Sequence, residues 1–224
     1  MVYGIADLHL SLGVDKPMDV FKGWEDYVSR LERNWRRLVR EEDTVVVAGD
    51  ISWGLDIGES LEDFRWLDSL PGEKLLLKGN HDLWFSTKTK VERFFADNGF
   101  SSLKMLFNNA FQLDGYALCG TRGWMNDQSD KKVLRRECGR LRLSLEAGKK
   151  LGGEPLVFLH YPPVYGSGDC PEIIEVLLEY GVKQVYYGHI HGCSAGYAIN
   201  GQRYGIDFRL ISCDYLQFEP KRII

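Results

Sequence analysis

The sequence predicts a layered α/β fold in which a sheet with parallel and antiparallel parts is flanked by helices. Two observations carry that prediction. Short apolar runs alternate along the chain with stretches of helical period. The runs are also continuous rather than alternating, as strands covered on both faces must be. A third observation bears on organisation: the 224 residues, 44% of them hydrophobic, suffice for one substantial core. No linker, low-complexity segment or solenoid repeat interrupts them, so residues 1–224 read as a single domain.

The elements follow in order. Val2–Ala6 reads as a strand, and the stretch from Ser11 to Gly23 shows no regular pattern. Trp24, Tyr27, Val28, Leu31, Trp35, Leu38 and Val39 then mark one apolar stripe at helical spacing. Val45–Ala48 is β-branched and too short for a helix. Ser60 and Asp63 suit an N-terminal cap for a helix from Leu61 to Leu70, which Pro71-Gly72 stops. Leu75–Lys78 is the next strand, and residues 103–119 read as short strands around Asp114-Gly115. Leu134, Cys138, Leu141 and Leu145 mark another helix, Leu156–Leu159 another strand, and Pro171 the first turn of a helix running to Tyr180. After the strand Val185–Tyr187, a hairpin of Tyr197–Asn200 with Arg203–Leu210 is expected to close on Asn200-Gly201.

Composition excludes several classes. No apolar run approaches the roughly 20 residues that cross a bilayer. The first residues read as a strand rather than as a signal or an anchor. The net charge of −4, with Lys and Arg scattered, argues against a duplex nucleic-acid binder. Five cysteines without paired metal-type spacing fit buried, reduced thiols, and a cytoplasmic protein is expected.

All five histidines lie in polar clusters at strand ends. Asp7-Leu8-His9 follows the first strand, Gly49-Asp50 the second and Gly79-Asn80-His81-Asp82 the third. His160 follows Leu156–Leu159, and Gly188-His189-Ile190-His191 follows Val185–Tyr187. In open α/β sheets the ligand crevice lies beyond the carboxyl ends of the strands, so these groups converge. Carboxylates, an amide oxygen and imidazoles suit transition metals such as manganese, iron or zinc far better than calcium. On an extended backbone, Asp-x-His and His-x-His would each put two side chains on one side. Asp7, His9, Asp50, Asn80, His160, His189 and His191 exceed the needs of one tetrahedral ion, which makes two ions the economical reading. Asp50 is the natural shared carboxylate, holding the ions roughly 3.5–4 Å apart. Each cluster alone is explicable as turn chemistry, including Gly49, Gly79 and Gly188; the conjunction is not.

In order along the chain, Asp7-x-His9, Gly49-Asp50, Gly79-Asn80-His81-Asp82, His160 and Gly188-His189-x-His191 resemble the motifs of calcineurin-like metallophosphoesterases. The resemblance implies a four-layer α-β-β-α sandwich with mixed sheets and a two-metal centre at the strand ends. It assigns Asp7, His9 and His191 to one ion and Asn80, His160 and His189 to the other, with Asp50 bridging. His81 matches a family histidine beside the metals that does not ligate them. Ligand set and resemblance lead to the same expected chemistry: a metal-activated hydroxide would attack phosphorus in line, and His81 would donate a hydrogen bond or proton to the leaving oxygen. Asp82 would either orient His81 or cap the following helix. The Ser52-Trp53-Gly54 stretch is unlike protein Ser/Thr phosphatases and more similar to uncharacterised bacterial phosphohydrolases of this length.

A small or medium phosphoester is the expected substrate, monoester or diester. Arg122, at another strand end, is expected to grip a non-reacting phosphate oxygen, with a surface salt bridge as the alternative. Lys16, Phe21 and Trp24 stand near the expected pocket edge, with Lys16 read as a plain surface residue. Trp53 and Trp84 are read as core packing rather than as shields of the metals. Two competing classes are weaker. A non-catalytic scaffold would have lost ligands that are all present here, and a metal-dependent amidohydrolase needs a larger barrel.

Overall fold

The computed structural model describes residues 1–124 and 131–224. Two sheets form where residue reading alone suggested one. The first runs β13-β1-β2-β3-β4, from β1 (Val2–Ile5), β2 (Thr44–Val47), β3 (Glu73–Leu76), β4 (Leu103–Met105) and β13 (Lys221–Arg222). Its strands are parallel except for the antiparallel β13 edge. The second runs β11-β12-β10-β7-β6-β5, from β5 (Ala110–Leu113), β6 (Tyr116–Thr121), β7 (Glu154–Leu159), β10 (Gln184–Tyr187), β11 (Gly201–Arg203) and β12 (Ile206–Leu210). Its four central strands are parallel and both edges antiparallel. A small hairpin, β8 (Val164–Tyr165) with β9 (Gly168–Asp169), stands apart.

Three apolar clusters show why the strands read as continuous hydrophobic runs. Alternate residues of the two sheets, among them Val2, Val46, Leu75 and Leu77 facing Leu118, Leu156, Phe158 and Tyr186, meet in one buried core. Their neighbours on the outer face of the first sheet, such as Ile5, Val45, Val47 and Leu76, pack under α1 (Tyr27–Leu38), α2 (Leu61–Asp68) and α3 (Lys88–Asp97). On the second sheet Cys119, Val157, Leu159 and Tyr187 pack under α4 (Lys131–Leu151) and α5 (Pro171–Glu179). The strand period of 2 thus feeds a helix layer and a sheet layer at once, giving the expected α-β-β-α arrangement. Among the described residues no helix is long and apolar enough to cross a membrane.

Four local expectations are corrected. Helix α1 begins at Tyr27 because Asp26 is in the left-handed region (φ 50°), leaving Trp24 in the preceding turn. Ser60 and Asp63 do not cap α2. The Asp63 carboxylate accepts from the Leu12 backbone (2.7 Å) and the Ser52 hydroxyl, tying the helix to the loop after β2. The late hairpin turns at Tyr204-Gly205, both at positive φ as a tight two-residue turn requires, and not at Asn200-Gly201. Cys193 is exposed, whereas the other four thiols are buried and free as expected.

Candidate metal centre

The seven clustered residues leave the carboxyl ends of β1, β2, β3, β7 and β10, three strands of the first sheet and two of the second. Extended geometry is not what brings their side chains together. Asp7 (φ 63°), His9 (φ 46°), Asp50 (φ 52°) and His189 (φ 72°) all sit in the left-handed region. Non-glycine residues there cost about 1–3 kcal/mol each and persist only where the surroundings over-determine them. Here the surroundings are cross-links between strand ends. Asp7 and His9 backbone amides donate to the Gly49 and Asp50 carbonyls (2.9 and 3.0 Å). The His189 amide donates to the Asp7 carboxylate (3.0 and 2.9 Å), joining the sheets, and the His81 amide donates to Asp50 Oδ1 (2.8 Å).

Two groups of donor atoms result. Asp7, His9 and His191 offer atoms within 4.8 Å of one another, and so do Asp50, His160 and His189. Asn80 adjoins the second group, its Oδ1 lying 2.7 Å from His160 Nε2. Asp50 Oδ2 lies 3.4 Å from His160 Nε2 and 3.9 Å from His9 Nε2, between the groups. In the first group His9 Nε2 and His191 Nε2 face each other at 3.3 Å. The far ring nitrogens are anchored. His191 Nδ1 lies 3.0 Å from Asp214 Oδ1, and His160 Nδ1 lies 3.1 Å from the Ala48 carbonyl. With Nδ1–H taken by a carboxylate or carbonyl, each ring turns its Nε2 toward the centre, the arrangement of metal-ligating histidines.

Charge is distributed alike in the two groups. Burial pushes His9 and His189 down to about 4, so both rings stay neutral. Burial acts on the other two rings in the same direction, but carboxylates outweigh it. Asp50 and Asp7 raise His160 to about 9, and Asp7 and Asp214 raise His191 to about 10. Burial also works to raise Asp7 and Asp50, yet His191 beside the first and His160 beside the second hold both below the usual carboxylate range. Each group therefore balances a carboxylate with a proton that a cation can replace. Neutral and proton-exchangeable imidazoles, two carboxylates and an amide oxygen are a fitting donor set for two transition-metal ions.

The glycines prove to be more than turn formers. Gly79 and Gly188 have ordinary φ, but a Cβ on Gly79 would collide with Asp50, and one on Gly188 with Ala6 and the Asp7 carboxylate. They are there for close approach of backbone to the donor carboxylates.

The His81 ring is exposed, beside Trp53 (4.6 Å) and His9 (5.7 Å). Asp82 does neither of the two things expected of it. Its buried carboxylate accepts from the backbone amides of Gly79, Asp50 and Ile51 (2.7–2.8 Å) and from the Trp84 indole (2.9 Å). Thr87 fills the capping position of α3. Burial and Asp50 push Asp82 up to about 6 despite those donors. Asp82 thus stands behind the centre, fastening the β3 loop to the β2 loop. Trp84 packs in the core against Phe64, as expected. Trp53 instead stacks on His9 (4.7 Å), with the Lys16 ammonium over its ring (3.3 Å). Trp24 is buried against His191 (5.9 Å), and Phe21 is exposed.

Arg122 is no surface salt bridge. Its guanidinium reaches the fully buried Glu137 (3.4 Å) and lies over Trp124 and Tyr161, at 5.1 and 5.9 Å. Sequence reasoning missed two neighbours of the centre, Tyr161, 4.4 Å from the His189 ring, and Asp214. Asp214 had a legible signal, since it follows the strand that ends at Leu210 as the other polar clusters follow theirs.

A family model described as calcineurin-like phosphoesterase matches residues 1–193. The "Gene 66 protein" of Mycobacterium phage L5 is 38% identical over 58 residues, covering 26% of this chain and only 28% of that protein's length. The crystal structure of a protein of unknown function from Aquifex aeolicus aligns over 99% of this chain and 94% of its own, with a TM-score of 0.54 at 17% identity. A crystal structure from Thermus thermophilus aligns over 85% and 81%, with a TM-score of 0.57 at 11% identity. At such identities the two structures speak to the fold alone.

Proposed function

The chain belongs to the calcineurin-like phosphoesterase family, and on that premise we propose that it hydrolyses a phosphomonoester or phosphodiester with two bound transition-metal ions, manganese, iron or zinc. The observation that carries the reading is the pair of adjacent donor groups with Asp50 Oδ2 between them. Asp7, His9 and His191 would hold one ion, and Asn80, His160 and His189 the other, with Asp50 shared. When bound, such ions lower the pKa of water toward neutrality and offset charge on phosphoryl oxygens.

The protein's own residues supply the rest. Asp214 holds the His191 ring and Ala48 the His160 ring, so the donors are aimed before anything binds. Asp82 fixes the loops that carry Asp50 and Asn80. His81, its backbone held by Asp50 and its ring exposed, is the proton donor to the leaving oxygen. Trp53 and Trp24 wall the centre and exclude water from one side.

The test is turnover of bis(p-nitrophenyl) phosphate and p-nitrophenyl phosphate by manganese-supplemented protein. Activity is expected against at least one, and Asp50→Ala and His189→Ala should abolish it while the protein stays folded. Near-normal turnover in either variant would overturn the assignment.

A further inference from the structure

A polar cavity of about 350 Å³ is lined by Lys78, Lys88, Arg122, Arg136 and Arg140 together with Thr87. The cavity shares the β3 end with the centre, and its Arg122 follows β6, the strand next to the β7 that delivers His160. Lys78 immediately precedes Gly79-Asn80. The Arg122 carbonyl accepts from the His160 and Tyr161 amides (3.1 and 2.8 Å), and Tyr161 touches both the Arg122 guanidinium and the His189 ring.

Five basic groups meet few carboxylates here. Buried Glu137 takes Arg140 (2.6 Å) and Arg122 (3.4 Å), and Glu92 takes Lys88 (3.2 Å). Among the described residues, five cations less these two carboxylates leave an excess of three, and no ion pair engages Lys78 or Arg136. The nearby Asp82 is spent on backbone amides. Like charges crowded together without a partner are costly unless an anion joins them. The groups are also held in place. Arg122 lies on Trp124, Arg140 on Phe107 (5.0 Å) and Lys78 on Phe85 (5.1 Å). Arg122 Nε is buried with no acceptor, a donor left over once Glu137 is served. Thr87 and Lys88 place the N-terminus of α3 at the same cavity, adding donors that favour an anion.

We propose that this cavity seats a second, non-reacting phosphate group of the substrate, so that the preferred substrates are phosphoesters carrying two separated phosphates. Guanidinium forks bind tetrahedral dianions bidentately, and a ring-mounted fork loses little entropy on binding. The substrate half of this proposal rests on the phosphoesterase reading above; the anion site does not.

Two measurements separate them. Inorganic sulfate, a tetrahedral dianion that ligates transition metals poorly, is titrated into the metal-loaded protein while tryptophan fluorescence is followed, Trp124 lying against Arg122. Saturable binding is expected, weakened at least about tenfold in Arg136→Glu and in Arg122→Gln. No saturable binding, or equal affinity in all three proteins, overturns the anion site whether or not the protein turns over any ester. Kinetics then use p-nitrophenyl phosphodiesters of alkanediols of increasing length, with and without a terminal phosphate. The ratio of kcat/KM with to without that phosphate should exceed about ten at the matching length and fall toward unity in Arg136→Glu. A ratio of unity at every length in the wild-type protein overturns the substrate assignment.

Discussion

His81 and Asp82 are adjacent in the chain, yet their surroundings oppose each other. His81 has an exposed ring and a backbone held by Asp50, so removing the imidazole leaves the loop and the donors in place. His81→Ala is therefore expected to keep its metals by elemental analysis and to lose about 10²–10⁴ in kcat. Asp82 accepts from four backbone amides and an indole, all buried. Leaving buried donors unmatched costs about 1–3 kcal/mol each, so Asp82→Ala should lose several kcal/mol in urea unfolding and fail to retain metal. If Asp82→Ala folds normally and only its kcat falls, the positioning role is wrong. The shifted histidines give a second prediction at this scale. Before a cation binds, His160 and His191 keep their protons until pH rises through about 9 and about 10. Metal must displace those protons, so affinity should increase as pH rises from 6 to 8 and about two protons should be released per two ions bound. Calorimetry in buffers of differing ionisation enthalpy counts them. In Asp214→Asn, which removes one support of the His191 proton, the count should drop.

At the scale of elements, what matters is how tightly the strand-end loops are drawn against one another. Gly79 has ordinary backbone angles, and its hydrogen atom is the smallest group that fits against Asp50. Gly79→Ala is expected to cost about 1–3 kcal/mol through overpacking and to lose metal, although alanine suits that φ. Thermal unfolding and elemental analysis check both halves, and unimpaired metal content would mean the loop can yield. The same loops show how far the sequence can be read. Strand positions, helix stripes and polar clusters were legible because burial on two faces and helical period leave a direct imprint on residue order. Two features left no such imprint. The left-handed conformations at Asp7, His9, Asp50 and His189 replace the extended geometry that their spacing suggested, because tertiary hydrogen bonds outweigh local preference. The role of Asp82 depends on amides about thirty residues away in the β2 loop, a relation that local pattern does not encode.

For the whole molecule, the position of the centre couples chemistry to architecture. The proposed ligands of each ion come from both sheets: Asp7 and His9 from the first with His191 from the second, and Asn80 from the first with His160 and His189 from the second. Other polar ties also cross between the sheets at this end, among them the Ala6 amide on the Ile211 carbonyl (2.8 Å), the Cys213 amide on the Ala6 carbonyl (2.9 Å), His160 Nδ1 with the Ala48 carbonyl (3.1 Å) and the His189 amide on Asp7. Between the sheets the contact is otherwise apolar and non-directional, a layer of Val, Leu and Phe side chains. A bound ion with donors on both sheets would restrain their relative movement and relieve the repulsion between Asp7 and Asp50. Because ions bind the folded arrangement and not the unfolded chain, stability should rise with free metal in proportion to the logarithm of its concentration over Kd. Stripping the metal with chelator is thus expected to lower Tm by several degrees, and manganese to restore it. Asp50→Asn, which keeps the shape and removes the shared charge, should respond far less to either treatment. Equal Tm with and without chelator in a protein shown to have contained metal would mean that the sheets are held by their apolar layer alone.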